Sequence, residues 1–188
     1  MGQSTEQSVF WDERADAWAR HADALESFAR QFGDPDLLGS IATAVRDSSI
    51  ETSTLRLEMT ESAIVSSEQS VAAKLWQLRS LKVGIALDDF GTGYSALSYL
   101  RHFPIDVLKI DRSFIRGLTA GGQDAAIVRT VIDLARSLGM ETVAEGVETQ
   151  DQLELLREMG CGAGQGYLFA KALSADEAAR MIEAAPVW

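Results

Sequence analysis

The spacing of apolar residues changes character near residue 50 of this chain. Before it, Trp11, Ala15, Trp18, Ala22, Leu25, Ala29 and Phe32 follow one another in alternating steps of four and three, the period of a helix with one apolar seam. Asp34-Pro35 then supplies an N-cap and a first-turn proline, and a second helix runs through Leu38, Ile41 and Val45. Beyond it, short β-type runs alternate with helical ones. The pattern predicts strands at Leu55–Met59, Val83–Leu87, Val107–Ile110, Glu141–Ala144 and Gly166–Phe169. It predicts helices at Ser66–Leu81, with Ser66 and Gln69 as a capping box, and at Asp124–Leu138, Gln150–Met159 and Ala175–Ala184. A glycine-containing loop, Asp88–Tyr94, leads into a further short helix ending near His102.

Strands alternating with helices imply parallel pairing through right-handed crossovers. The expected fold is therefore α/β: an incomplete TIM-type βα barrel of about five parallel strands, preceded by an all-helical segment. A complete barrel takes roughly 250 residues, and this chain has 188. Residues 1–8 are polar and expected to be loose. Residues 9–48 form the helical segment and residues 50–188 the half-barrel. An open sheet leaves edges that invite pairing, so the helical segment is expected either to cover one or to dimerise.

Composition narrows the function classes. Twenty-eight acidic against 17 basic residues give a net charge of −11, which repels a phosphate backbone, so no DNA partner is expected. Cys161 is the only cysteine, which fits a reducing cytoplasm. No signal peptide and no apolar stretch of about 18 residues is seen, so no membrane span is expected. The chain contains no asparagine.

The chemistry-bearing residues gather at the expected strand ends: Glu58 and Glu61, Asp88-Asp89, Lys109, Glu145 with Glu148, and Gln165. In parallel βα arrays that face carries function. Carboxylates converging there suit a hard cation, Mg²⁺ or Mn²⁺. Lys109, inside an apolar strand, points inward and needs an anionic partner. Each residue also has a plainer use. Asp88 can cap the following glycine turn, Glu145 can be a solvated loop residue, and Glu148 can start a helix. Lys109 can be an ordinary buried ion-pair residue, and Gln165 can bond local backbone.

Five segments together resemble the EAL domain: Leu57-Glu58-Met59-Thr60-Glu61-Ser62, Asp88-Asp89-Phe90-Gly91-Thr92-Gly93-Tyr94-Ser95, Leu108-Lys109-Ile110-Asp111, Ala144-Glu145-Gly146-Val147-Glu148 and Gln165-Gly166-Tyr167. They cover roughly residues 50–174 in family order. EAL domains are cyclic di-GMP phosphodiesterases or degenerate relatives of them. The resemblance implies that Glu58, Asp88, Asp89 and Glu145 are metal ligands. It implies that Lys109 orients or deprotonates the attacking water, that Glu148 and Gln165 hold the water and ligand network, and that Glu61 fixes the loop beginning at Asp88. The implied reaction opens one phosphodiester bond of cyclic di-GMP, giving linear pGpG, with two cations clamping the phosphate.

The departures from the family shape the functional expectation. No Glu-Ala-Leu tripeptide occurs, and without asparagine the chain lacks the family's Asn ligand as well. Gly162 and Ala172 stand where the family often has Asp and Pro. Loss of two ligands weakens a metal site. The expectation is a catalytically weak or inactive binding or regulatory module, retaining some cyclic di-GMP affinity, with a homodimeric or protein partner. The alternative is an active phosphodiesterase completed by oligomerisation or a partner chain. A different divalent-metal βα enzyme using the same carboxylates is a third reading.

Overall fold

A computed structural model describes residues 36–48, 51–61, 68–91 and 100–184. Among them the elements run α1 (Leu37–Ser48), a 3-10 turn (Thr52–Thr54), β1 (Arg56–Thr60), α2 (Glu68–Ser80), β2 (Gly84–Phe90), β3 (Val107–Ile110), α3 (Arg112–Arg116), α4 (Gln123–Ser137), β4 (Glu141–Glu145), α5 (Gln150–Met159), β5 (Ala163–Gln165) and α6 (Ala175–Ala184). The strands form one parallel sheet in the order β1-β2-β3-β4-β5. This is an arc of a βα barrel, with each strand beside the next in sequence. The expected helix over residues 9–32, the Ser66–Gln69 capping box and the segment following Gly91 lie outside the described residues. No helix among the described residues is long and apolar enough to cross a membrane.

The two sheet faces differ as the pleat requires. In β1, half-buried Arg56, Glu58 and Thr60 alternate with buried Leu57 and Met59. The second set joins Ile85, Leu87, Leu108, Ile110 and Ala144 in the core, together with Leu75 and Leu78 of α2 and Val128 and Ile132 of α4. Each fully buried leucine contributes about 1.5–3 kcal/mol by leaving water. Helix α5 adds Leu153, Leu156 and Met159. It begins at a complete capping box, Thr149 with Gln152, and ends at left-handed Gly160.

Three elements differ from the sequence expectation. Strand β2 runs on to Phe90, through both aspartates. Strand β5 is Ala163–Gln165, and Gly166–Phe169 is a turn instead of the expected strand. The physical reason lies at Gly166. A Cβ there would meet Val147 O at 2.2 Å and Val147 N at 2.3 Å. The chain slips past the Val147 backbone and turns back, with Leu168 N donating to Val147 O (3.0 Å). The apolar run Tyr167-Leu168-Phe169 therefore serves a folded-back turn, from which Leu168 and Phe169 reach the core. The third difference is α3, whose five residues are too few to show a period; Asp111 caps it by accepting from Ser113 N (2.9 Å).

Candidate metal centre

Lys109 organises the mouth of the arc. Its side chain leaves the centre of β3 with 7% exposure, and its Nζ lies 2.7 Å from Glu58 Oε2, 3.0 Å from Asp88 Oδ1 and 2.6 Å from Glu145 Oε1. The three carboxylates come from β1, β2 and β4. The neighbouring strands are staggered, with Glu58 beside Ala86 and Lys109 beside Val143, so ends of different strands converge on one point. Gln165, last in β5, sits beside Glu145 in register and donates from Nε2 to Glu145 Oε1 (2.8 Å).

Asp89 reaches the same cluster through a bulge. Leu87 pairs with Leu108 and Phe90 with Ile110, so β2 carries one extra residue. Regular alternation would send Asp88 and Asp89 to opposite faces. The bulge and the left-handed backbone of Asp89 (φ 55°) re-aim its side chain. Carboxylate oxygens of Asp88, Asp89 and Glu145 lie within 4.8 Å of one another. Asp89 N also donates to Asp88 Oδ1 (3.1 Å).

The electrostatics fit a cation site. Burial pushes the Asp89 carboxyl above its ordinary range, and the charges of Asp88 and Asp111 add to this. Glu145 is likewise pushed up, chiefly by burial, even though Lys109 pulls the other way. Burial opposes the Lys109 ammonium, but Glu58 and Glu145 outweigh it and hold its pKa above the usual lysine range. One ammonium thus faces four carboxylates. That excess of negative charge, on oxygen donors alone, suits a divalent ion of the Mg²⁺ or Mn²⁺ kind.

Two expected site residues stand apart from this cluster. Glu61 is 4% exposed, and its Oε2 has no hydrogen-bond partner among the described residues; most of the loop it was expected to fix lies outside them. Glu148 is exposed, and its backbone N–H donates to Gln152 Oε1 (2.8 Å). Conversely, two residues without an expected role matter here. Asp111 hydrogen-bonds the Asp89 side chain while capping α3. Gln152, 8% exposed, accepts from Glu148 N and Thr149 N and donates to Ile115 O. It ties the turn after Glu145 to α3. The Asp111-x-Ser113 pattern was a readable cap signal; a glutamine bonding across 37 residues was not.

Comparisons with known proteins identify the family. The EAL domain family model matches residues 14–172. The bifunctional diguanylate cyclase/cyclic di-GMP phosphodiesterase MucR of Pseudomonas aeruginosa is 43% identical over 160 residues, 84% of this chain and 23% of that protein. The chain spans about a fifth of the length of the curated relatives it matches. A solved PaMucR phosphodiesterase in complex with c-di-GMP superimposes with a TM-score of 0.77 at 38% identity, covering 90% of this chain and 72% of that one. A manganese/cy-diGMP complex of Klebsiella pneumoniae BlrP1 superimposes with a TM-score of 0.72 at 28% identity, covering 90% and 46%.

Proposed function

This chain belongs to the EAL domain family, and on that premise we propose that it is a cyclic di-GMP module that binds the nucleotide together with a divalent cation and by itself hydrolyses it weakly or not at all. The observation that carries the reading is the lodging of Lys109 among Glu58, Asp88 and Glu145 at 2.6 to 3.0 Å. Carboxylates gathered so closely need more positive charge than one ammonium supplies. A solved neighbour, the BlrP1 complex, pairs manganese with the cyclic dinucleotide, and PaMucR is solved in complex with c-di-GMP.

Asp88, Asp89, Glu145 and Glu58 would hold the Mg²⁺ or Mn²⁺. When bound, such an ion polarises a phosphodiester and acidifies its water. The remaining residues hold and orient. Lys109 sits between three carboxylates, and the resemblance assigns it to orienting or deprotonating the attacking water. Gln165 fixes Glu145 through its amide. The resemblance assigns Glu148 to the ligand network and Glu61 to support of the loop after Asp88.

The ligand count supports weak turnover. Among the described residues one group of carboxylates is close enough to share an ion, whereas clamping by two metals sets both the attacking and leaving oxygens. The sequence contains neither Glu-Ala-Leu nor any asparagine. A second reading, a phosphodiesterase completed by another chain, is favoured by the intact Lys109–Glu145–Gln165 contact.

Cyclic di-GMP turnover in Mn²⁺, run beside calorimetric titration of the same nucleotide, decides between them. Metal-dependent binding without release of pGpG supports the module. Release of pGpG that Asp88→Asn abolishes overturns it in favour of the enzyme.

A further inference from the structure

The turn that follows Glu145 is gripped from two sides. Toward β5, Val147 N donates to Gln165 O and Val147 O accepts from Leu168 N, both at 3.0 Å. Toward α3, Gly146 (φ 69°) lies so close that a Cβ there would meet Arg112 Cβ at 2.7 Å. Gln152 bonds across this second contact. Its Oε1 accepts from Glu148 N (2.8 Å) and Thr149 N (3.0 Å), and its Nε2 donates to Ile115 O (3.0 Å). Both Gln152 and Ile115 are buried. The residue type is informative. In a capping box the third helical position reaches back to the N-cap N–H, and Glu serves there as well as Gln. Only the amide can also donate to Ile115 O. A carboxylate in its place would set a buried charge against a carbonyl with no proton between them. Capping of α5 thus accounts for the oxygen of Gln152 and leaves its nitrogen unexplained.

The two segments joined by that nitrogen each lead to a group of the metal centre. The turn begins at Glu145 and contains Glu148. Helix α3 is capped by Asp111, whose side chain also hydrogen-bonds Asp89. Asp89 lies on β2 and Glu145 on β4, and β3 runs between these strands. Direct strand pairing therefore does not set their spacing, although their carboxylate oxygens come within 4.8 Å. We infer that Gln152 is a positioning residue of the metal centre: its bridge from Ile115 O to the Glu148 and Thr149 N–H groups holds Glu145 at its distance from Asp89. The inference rests on the cation site proposed above and adds to it a side chain that touches neither the ion nor the nucleotide. Partners of this kind orient the ligands themselves, and their loss typically lowers metal affinity about 10–100-fold.

Two variants of the full chain separate positioning from plain structural support. Gln152→Glu keeps both acceptor bonds and loses the donor to Ile115 O. Thr149→Ala removes the hydroxyl that accepts from Gln152 N (3.3 Å) and leaves the bridge to α3 in place. Both are expected to lower the urea midpoint of the metal-free chain. Mn²⁺ uptake, counted by electron paramagnetic resonance, is expected to weaken at least about tenfold in Gln152→Glu and to match the parent in Thr149→Ala. Parent-like uptake by Gln152→Glu overturns the inference, since the glutamine is then structural only. Equal weakening in Thr149→Ala also overturns it, because the start of α5 and not the bridge is then what matters. If Gln152→Glu fails to fold by circular dichroism, amide hydrogen exchange of the parent decides. Mg²⁺ is expected to slow exchange at Glu148, Thr149 and Ser113 with one common midpoint; no effect, or separate midpoints, overturns the inference. A parent that takes up no ion overturns the cation site as well. A parent that binds Mn²⁺ no better than Gln152→Glu overturns the bridge alone.

Discussion

Lys109 Nζ lies 2.6 Å from Glu145 Oε1, and the same carboxylate oxygen accepts a 2.8 Å hydrogen bond from Gln165 Nε2. Two donors from strands on either side thus fix one oxygen of Glu145. A buried lysine placed this way is both a structural counter-ion and a stand-in for part of the charge that a cation would bring.

Lys109→Met should therefore destabilise the protein by about 3 kcal/mol in urea unfolding, because Glu58, Asp88 and Glu145 lose their counter-charge while remaining partly buried. Millimolar Mn²⁺ should restore much of the loss, since an ion bound only by the folded state stabilises it by mass action. A variant as stable as the parent without metal would contradict the charge assignment.

Gly166→Ala should cost about 1–3 kcal/mol as an overpacking substitution, because its Cβ overlaps Val147 backbone atoms. The same substitution should displace Gln165 from Glu145 and weaken Mn²⁺ binding. Thermal unfolding and Mn²⁺ titration of one preparation check both effects.

Cys161 gives a pH signature. Its Sγ lies 3.3 Å from Ala163 O, and burial pushes the thiol above its ordinary pKa. A group whose folded pKa is raised contributes stability below its unfolded pKa, about 8.5 for cysteine. That contribution is lost as pH rises from there through the folded value. Stability should fall more steeply above pH 8.5 in the parent than in Cys161→Ala. Parallel pH profiles in the two proteins would show that the thiol is not coupled to folding.

Asp111→Ala should cost about 1 kcal/mol, the usual worth of an N-cap, and should free the Asp89 carboxyl that Asp111 holds. Urea unfolding measures the first effect. The second appears as weaker Mn²⁺ binding.

Much of this molecule was legible because period-two and period-3.6 patterns are local. Strands β1 to β4, α4 and α5 follow from spacing alone, and Asp88 and Glu145 could be placed at strand ends with Lys109 inside its strand. What was not legible depends on nonlocal contact. The bulge that brings Asp89 beside Asp88 is set by how β2 pairs with β3. Gly166 looked like the start of a strand because its clash with Val147 exists only after β4 and β5 meet. Gln152 is buried because its side chain reaches Ile115 O, 37 residues away in sequence.

Direct counting of bound Mn²⁺ by electron paramagnetic resonance, with and without Asp88→Asn, tests the central claim that the carboxylates of β1, β2 and β4 form a cation site. The parent should take up Mn²⁺ saturably, and Asp88→Asn should weaken uptake at least about tenfold, the usual loss when a ligand set is disturbed. Equal uptake by both proteins, or none by the parent even with cyclic di-GMP present, would contradict the account.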